Sequence, residues 1–67
     1  MEILVTAKKI IIRLPVVINR TGLKRSTIYA LIAEGRFPKQ IKLGTKASGW
    51  LESEVDQWIE SRIEASK

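Results

Sequence analysis

Thr21-Gly22-Leu23-Lys24-Arg25-Ser26-Thr27-Ile28-Tyr29, followed by Glu34-Gly35-Arg36-Phe37-Pro38, decides how this 67-residue chain folds. Gly22 supplies a tight turn and Leu23 plugs its corner. A cluster of basic and hydroxyl side chains then opens a second helix. That order of residue types is the pattern of a helix-turn-helix, a motif whose second helix reads the DNA major groove.

Upstream of this stretch, Pro15 suits a first helical position. Leu14, Val17 and Ile18 are spaced i, i+3, i+4, which predicts a helix from Pro15 to about Arg20 with one buried face, ended by Thr21-Gly22. The second helix is expected from near Arg25 to Glu34, with Lys24 at its border. Ile28, Leu31 and Ile32 form its inward stripe. Arg25, Ser26, Tyr29 and Ala33 lie towards the other side, with Thr27 and Ala30 on a flank. Ser26 and Thr27 are candidates for capping free amides of the first turn. Gly35 terminates the helix.

The period then changes. Lys39-Gln40-Ile41-Lys42-Leu43 alternates polar and apolar, Gly44-Thr45-Lys46 turns, and Ser48-Gly49-Trp50-Leu51 returns. This predicts a β-hairpin that offers Ile41, Leu43 and Trp50 to the core and carries Lys46 at its tip, with Lys42 and Ser48 nearby. A basic hairpin directly after a helix-turn-helix reads as a wing. A third helix is expected from about Ser53 to Glu64. Ser53 and Asp56 make a capping-box-like start, Glu54 and Asp56 suit the positive end of the helix dipole, and Val55, Trp58, Ile59 and Ile63 form the apolar stripe. The expected architecture is mainly α with a small β-hairpin: a winged helix-turn-helix of three helices plus wing over residues 13–67. Residues 1–12 are expected as an extended N-terminal arm. Its apolar and β-branched run, Ile10-Ile11-Ile12 included, fits either an added strand or pairing with a second copy of the chain.

Composition bounds the function. A domain this small buries only about 60% of its unfolded surface. The chain has no cysteine and no histidine, which excludes disulfides, zinc fingers, zinc hydrolases and Cys- or His-based catalysis. No cofactor and no metal are expected, and no enzymatic activity. The net charge is +5, and it is unevenly placed: Lys8 to Lys46 holds ten Lys/Arg against one acid, Glu34, while Glu52 to Lys67 holds five acids against two bases. A one-sided basic field attracts polyanions, although many small proteins have a solvated basic surface without a nucleic-acid partner. Glu52, Glu54, Asp56 and Glu60 sit on an amphipathic helix and read as a solvated face rather than paired catalytic carboxylates. Apolar runs are far shorter than the ~18–20 residues of a membrane span, and Lys8 and Lys9 interrupt the only candidate for a signal peptide. The expected location is cytoplasmic, on the nucleoid through DNA, with no membrane partner.

In combination, Arg13-Leu14-Pro15, Thr21-Gly22-Leu23, Ser26-Thr27-Ile28-Tyr29, Glu34-Gly35-Arg36-Phe37-Pro38-Lys39, Leu43-Gly44 and Gly49-Trp50-Leu51-Glu52-Ser53-Glu54-Val55-Asp56-Gln57-Trp58 resemble the AlpA-like family of phage and prophage regulators, over roughly residues 13–64. The resemblance implies a winged helix-turn-helix related to the MerR and excisionase DNA-binding domains. It implies a short transcriptional regulator encoded by a prophage or other mobile element, with double-stranded DNA as partner. Some relatives act as excisionases that bend attachment-site DNA for an integrase. A homodimer or tandem array on DNA, and an integrase or other protein partner, are therefore in view. Two positions depart from the family pattern. Ala30 stands where a basic residue is frequent, and Ala47 lies in a turn that is often richer in arginine, so fewer contacts are expected there.

Lys24, Arg25, Ser26, Thr27 and Tyr29 are the candidates for the groove, since Arg and Lys bond guanine O6/N7 and hydroxyls serve bases or phosphates. Tyr29 packing on the wing is the competing role for that ring. Arg20, Lys39, Lys42, Lys46 and Ser48 are candidates for the DNA backbone, which positions without reading sequence. Trp50 and Trp58 have the spacing and placement of core residues rather than of base-stacking platforms. Three functions remain: a sequence-specific regulator, an architectural excisionase, and a protein-interaction module acting through the arm and the acidic third helix.

Overall fold

The computed structural model describes residues 9–66; the expected arm over residues 1–8 lies outside them. The described chain runs β1 (Ile11–Ile12), α1 (Leu14–Thr21), α2 (Arg25–Ala33), β2 (Ile41–Lys42), β3 (Ser48–Leu51) and α3 (Glu52–Ala65). It is a winged helix-turn-helix, mainly helical, with a small antiparallel sheet of order β1-β3-β2.

Local chemistry accounts for each element. Pro15 occupies the first turn of α1, and Gly22 ends the helix in the left-handed region at φ 74°, with its N–H bonded to the Ile18 carbonyl at 2.8 Å. A side chain at position 22 would be strained there, so the turn depends on glycine. Thr21 completes the turn: its hydroxyl donates to the Val17 carbonyl and accepts the Leu23 N–H. α2 closes on a Schellman arrangement, with Arg36 N–H on the Leu31 carbonyl and Gly35 N–H on that of Ile32.

The wing gains a third strand. Ile11 pairs with Leu51 and Ile12 with Trp50, so the end of the apolar run joins the sheet. On the other side of β3, Ile41 pairs with Gly49 and Lys42 with Ser48. Successive strand residues face opposite sides. Trp50 and Ile12 therefore point into the core, and Gly49 points outward. There β1 and the hairpin close over it: a Cβ on Gly49 would lie 2.6 Å from Ile11 Cγ2 and 3.3 Å from Leu43 Cδ1. Leu43 belongs to this outer surface and is 42% exposed. The expectation that Ile41 and Leu43 face the core fails because the register sets Ile41 opposite Gly49 and Leu43 over the same side of the sheet, away from Trp50.

The core is Ile12, Val17, Ile28, Phe37, Trp50 and Val55, one residue each from β1, α1, α2, the connection after α2, β3 and α3. Leu14, Ile18, Leu23, Leu31, Ile32, Trp58 and Ile59 pack around it. Ile63, expected in the stripe of α3, is exposed because the helix has by then outrun the domain. The Trp50 indole N–H donates to the Pro38 carbonyl at 2.9 Å and that of Trp58 to the Arg36 carbonyl at 2.7 Å. Phe37 meets Trp58 edge-on, with ring centroids 4.9 Å apart. The two tryptophans thus fasten both sides of the Phe37-Pro38 connection.

The start of α3 differs from the expected Ser53 cap. Leu51 is the N-cap residue, and no side chain caps the helix. Glu52 N–H donates instead to the Ile10 carbonyl at 2.8 Å. The residue before β1 thus takes the first N–H of the helix, which begins one residue earlier than expected.

Two substitutions test this core. Trp50→Ala is expected to cost roughly 3–5 kcal/mol, a large share of the stability of so small a domain. Gly49→Ala adds only a methyl group, but into occupied space, and is expected to cost about 1–3 kcal/mol. Urea unfolding followed by tryptophan fluorescence or circular dichroism measures the latter, and a fully stable Gly49→Ala protein would contradict the close approach of β1.

Candidate nucleic-acid interface

The first turn of α2 gathers Arg25, Ser26 and Thr27, all exposed, behind an exposed Lys24 at the N-cap position. No side chain caps this helix. The hydroxyls of Ser26 and Thr27 are therefore not consumed by the helix's own amides, and the capping role open to them in the sequence is not the one they play. Tyr29 is half-buried. Its ring tilts against Trp50 at 6.3 Å between centroids, and the Arg25 guanidinium lies over the ring at 5.9 Å from its centroid. Both contacts lie in the range of favourable ring interactions. Arg25 is thus linked through Tyr29 to the largest fully buried side chain of the core.

The wing continues from the same strand. Ser48 lies two residues before Trp50 on β3, so it projects to the same side of the sheet, and Lys42 is its cross-strand partner. Lys46 is exposed in the turn between β2 and β3. The fold therefore brings Lys42 and Ser48 side by side, and it carries them on the face of the sheet where Trp50 meets Tyr29.

Arg20 and Lys39 sit elsewhere. Arg20 is engaged within the protein: Nη1 donates to Asp56 Oδ1 at 2.9 Å and Nη2 to Glu52 Oε2 at 2.5 Å. This fork joins the end of α1 to the start of α3. Lys39 lines a shallow cleft with Pro38, Ile41, Glu54, Gln57 and Trp58, next to the acidic helix. Sequence reasoning did not single out Arg13. It sits at the N-cap position of α1, and its Nε donates to the Ser48 carbonyl at 2.9 Å. Nothing local in the sequence signals this bond, because its partners are 35 residues apart.

The helix ends are charged unequally. Neither α1 nor α2 has an acidic residue in its first turn, whereas α3 has Glu52 and Glu54. The partial positive charge of a helix N-terminus is left uncompensated on the two helices of the helix-turn-helix and neutralised on the third. Among the described residues, no group of carboxylates, histidines or cysteines is arranged to hold a metal ion. No described helix is long and apolar enough to cross a membrane.

The fold and this surface define a small winged helix-turn-helix protein whose basic and hydroxyl groups cluster on α2 and the wing. Residues 10–63 match the family model described as prophage CP4-57 regulatory protein (AlpA), and the chain belongs to that family. It is 43% identical over 58 residues to the DNA-binding transcriptional activator AlpA of Escherichia coli strain K12, covering 78% of this chain and 83% of that protein. It is 50% identical over 56 residues to the uncharacterised ORF88 protein of enterobacteria phage P4. That match covers 84% of this chain and 64% of the phage protein, so the chain spans less than two thirds of that relative.

The Arg20 fork is checked by a double-mutant cycle with Asp56. Both groups reach solvent, so Arg20→Ala is expected to lower stability by no more than about 1 kcal/mol. A favourable coupling of a few tenths of a kcal/mol or more is expected by thermal unfolding at low salt, and zero coupling would contradict the ion pair.

Proposed function

We propose that this protein is a DNA-binding transcriptional regulator of prophage or mobile-element genes, with α2 in the major groove and the wing along the adjacent backbone or minor groove. The observation that carries this reading is the first turn of α2. There Arg25, Ser26 and Thr27 are exposed, free of any capping role, and backed by an uncompensated helix N-terminus. The name of the E. coli relative, a DNA-binding transcriptional activator, supports it.

The roles divide by chemistry. Arg25 has the planar donor fork that bonds guanine O6 and N7, and Thr27 and Ser26 offer hydroxyls to a base edge or phosphate. Lys24 neutralises phosphate at the groove edge. Lys42, Lys46 and Ser48 hold the backbone from the wing. Tyr29 braces Arg25 rather than reading a base itself. Arg20 contributes indirectly, by fixing α1 on α3, and Lys39 adds long-range attraction. The small side chain of Ala30 lets the helix approach the groove without adding a contact. A lone module of this kind covers about 600–1,000 Å² of protein surface, so useful affinity calls for two copies on adjacent half-sites.

Selection from a random duplex library, followed by binding of the enriched duplex, tests the reading. Arg25→Ala with Thr27→Ala is expected to weaken binding by about 30-fold or more, since each base contact contributes roughly 1–3 kcal/mol. Unfolding temperature should be little changed, because both side chains are exposed. With about 4–6 phosphates contacted, the plot of log affinity against log salt should slope at roughly −4 to −5. Full affinity in the double mutant would overturn the recognition-helix assignment. A slope near zero would overturn the electrostatic part.

A further inference from the structure

Two arginines flank α1, and the fold treats them in opposite ways. Arg20, at the C-terminal end, has both terminal nitrogens on carboxylates. Arg13, at the N-terminal end, meets no carboxylate among the described residues. From the geometry we infer that Arg13 is a phosphate-binding residue at the base of the wing, taking a backbone phosphate of the duplex that α2 engages. The inference rests on the DNA-binding reading above.

The backbone of Arg13 is fixed on both sides. It follows β1 directly, and its carbonyl accepts the N–H groups of Val16 and Val17 at 3.0 and 3.1 Å. The side chain is fixed as well, by the bond from Nε to the Ser48 carbonyl. That bond uses one of five guanidinium donors and leaves the four on Nη1 and Nη2. The residue is exposed. A guanidinium already held along one edge loses little further freedom on meeting an anion, which is the condition under which a charged contact is most favourable.

The surroundings reinforce the charge. The N-terminus of α1, with no acid in its first turn, lies at the same residue. Ser48, whose carbonyl holds Arg13, is the cross-strand partner of Lys42. The Ser48 carbonyl thus ties Arg13 and the α1 N-terminus to one edge of β3, whose other edge pairs with the strand that carries Lys42, and a phosphate is the anion that a duplex presents along its length. A role limited to bracing the wing would need only the donor at Nε. It would not need the remaining fork to be free of carboxylates on a surface where Arg20 and Arg36 both have them.

The experiment compares wild type, Arg13→Ala and Arg13→Lys for binding to a selected duplex between 50 and 200 mM salt. Wild type that fails to bind duplex in a salt-sensitive way overturns the DNA reading itself, independently of any variant. Given that binding, Arg13→Ala should lose about 0.9 of salt slope, the effect of one phosphate. Its affinity deficit then narrows about threefold from 50 to 200 mM. Arg13→Lys keeps the charge but not the Nε bond, and should keep the wild-type slope. If Arg13→Ala fails to fold, Arg13→Gln, which retains a donor for the Ser48 carbonyl, is expected to show the same loss of slope. A deficit constant with salt overturns the inference. So does a loss of slope in Arg13→Lys equal to that in Arg13→Ala, because the Ser48 bond would then be the whole role. A loss of two or more units in Arg13→Ala also overturns it, by making Arg13 a strut for the entire wing.

Discussion

The fold depends on one buried indole. Trp50 lies in the central strand of the sheet, fully removed from solvent, and α1 and α3 both pack against that strand. Its register partner Ile12 comes from β1 and its ring neighbour Tyr29 from α2. Its N–H is taken by the Pro38 carbonyl in the connection to the wing. Burying an aromatic of this size is a large part of what stabilises so small a core. The bond to Pro38 satisfies the one polar group that burial would otherwise leave unpaired. Because the helix-turn-helix and the wing meet on the same side chain, their relative placement is set by the core rather than by surface loops.

Charge is arranged around that core in a way that the net value of +5 conceals. The acids are concentrated on α3, where Glu52 and Glu54 offset the helix dipole and Glu52 and Asp56 absorb the charge of Arg20. The helix-turn-helix helices keep open positive ends, and among the described residues Lys24, Arg25, Lys42 and Arg13 meet no carboxylate. The separation leaves the positive charge on the helix-turn-helix and wing and the negative charge on α3.

Much of this was legible in the sequence because it is encoded locally. Gly22 and Gly35 mark helix ends, Pro15 marks a beginning, and the spacing of Val17, Ile28 and Val55 identifies inward faces. What escaped was encoded at long range. Ile10-Ile11-Ile12 suits a strand or a self-pairing edge equally well, and only the position of β3 decides that Ile11 and Ile12 join the sheet. Ser53 followed by Asp56 has the look of a cap, yet the carbonyl of Ile10, more than forty residues earlier, reaches the helix first. The same applies to the candidate site. Ser26, Thr27 and Arg25 stand exposed where the helical period put them. The carboxylates that hold Arg20, a candidate for the DNA backbone, lie 32 and 36 residues away, and the carbonyl partner of Arg13 is 35 residues away, so neither bond has a local signal.

In the reading proposed above, α2 and the wing form one surface for duplex DNA, and the acidic α3 stands outside it. Titration of the isotope-labelled protein with a selected duplex, followed by amide resonances in two-dimensional NMR, tests it most directly. The largest shifts should fall within Lys24–Ala30 and Lys42–Ser48, with the outer positions of α3, such as Gln57, Glu60 and Ser61, unmoved. Shifts centred on α3, with α2 unchanged, would contradict it and make the acidic helix the working face of the protein.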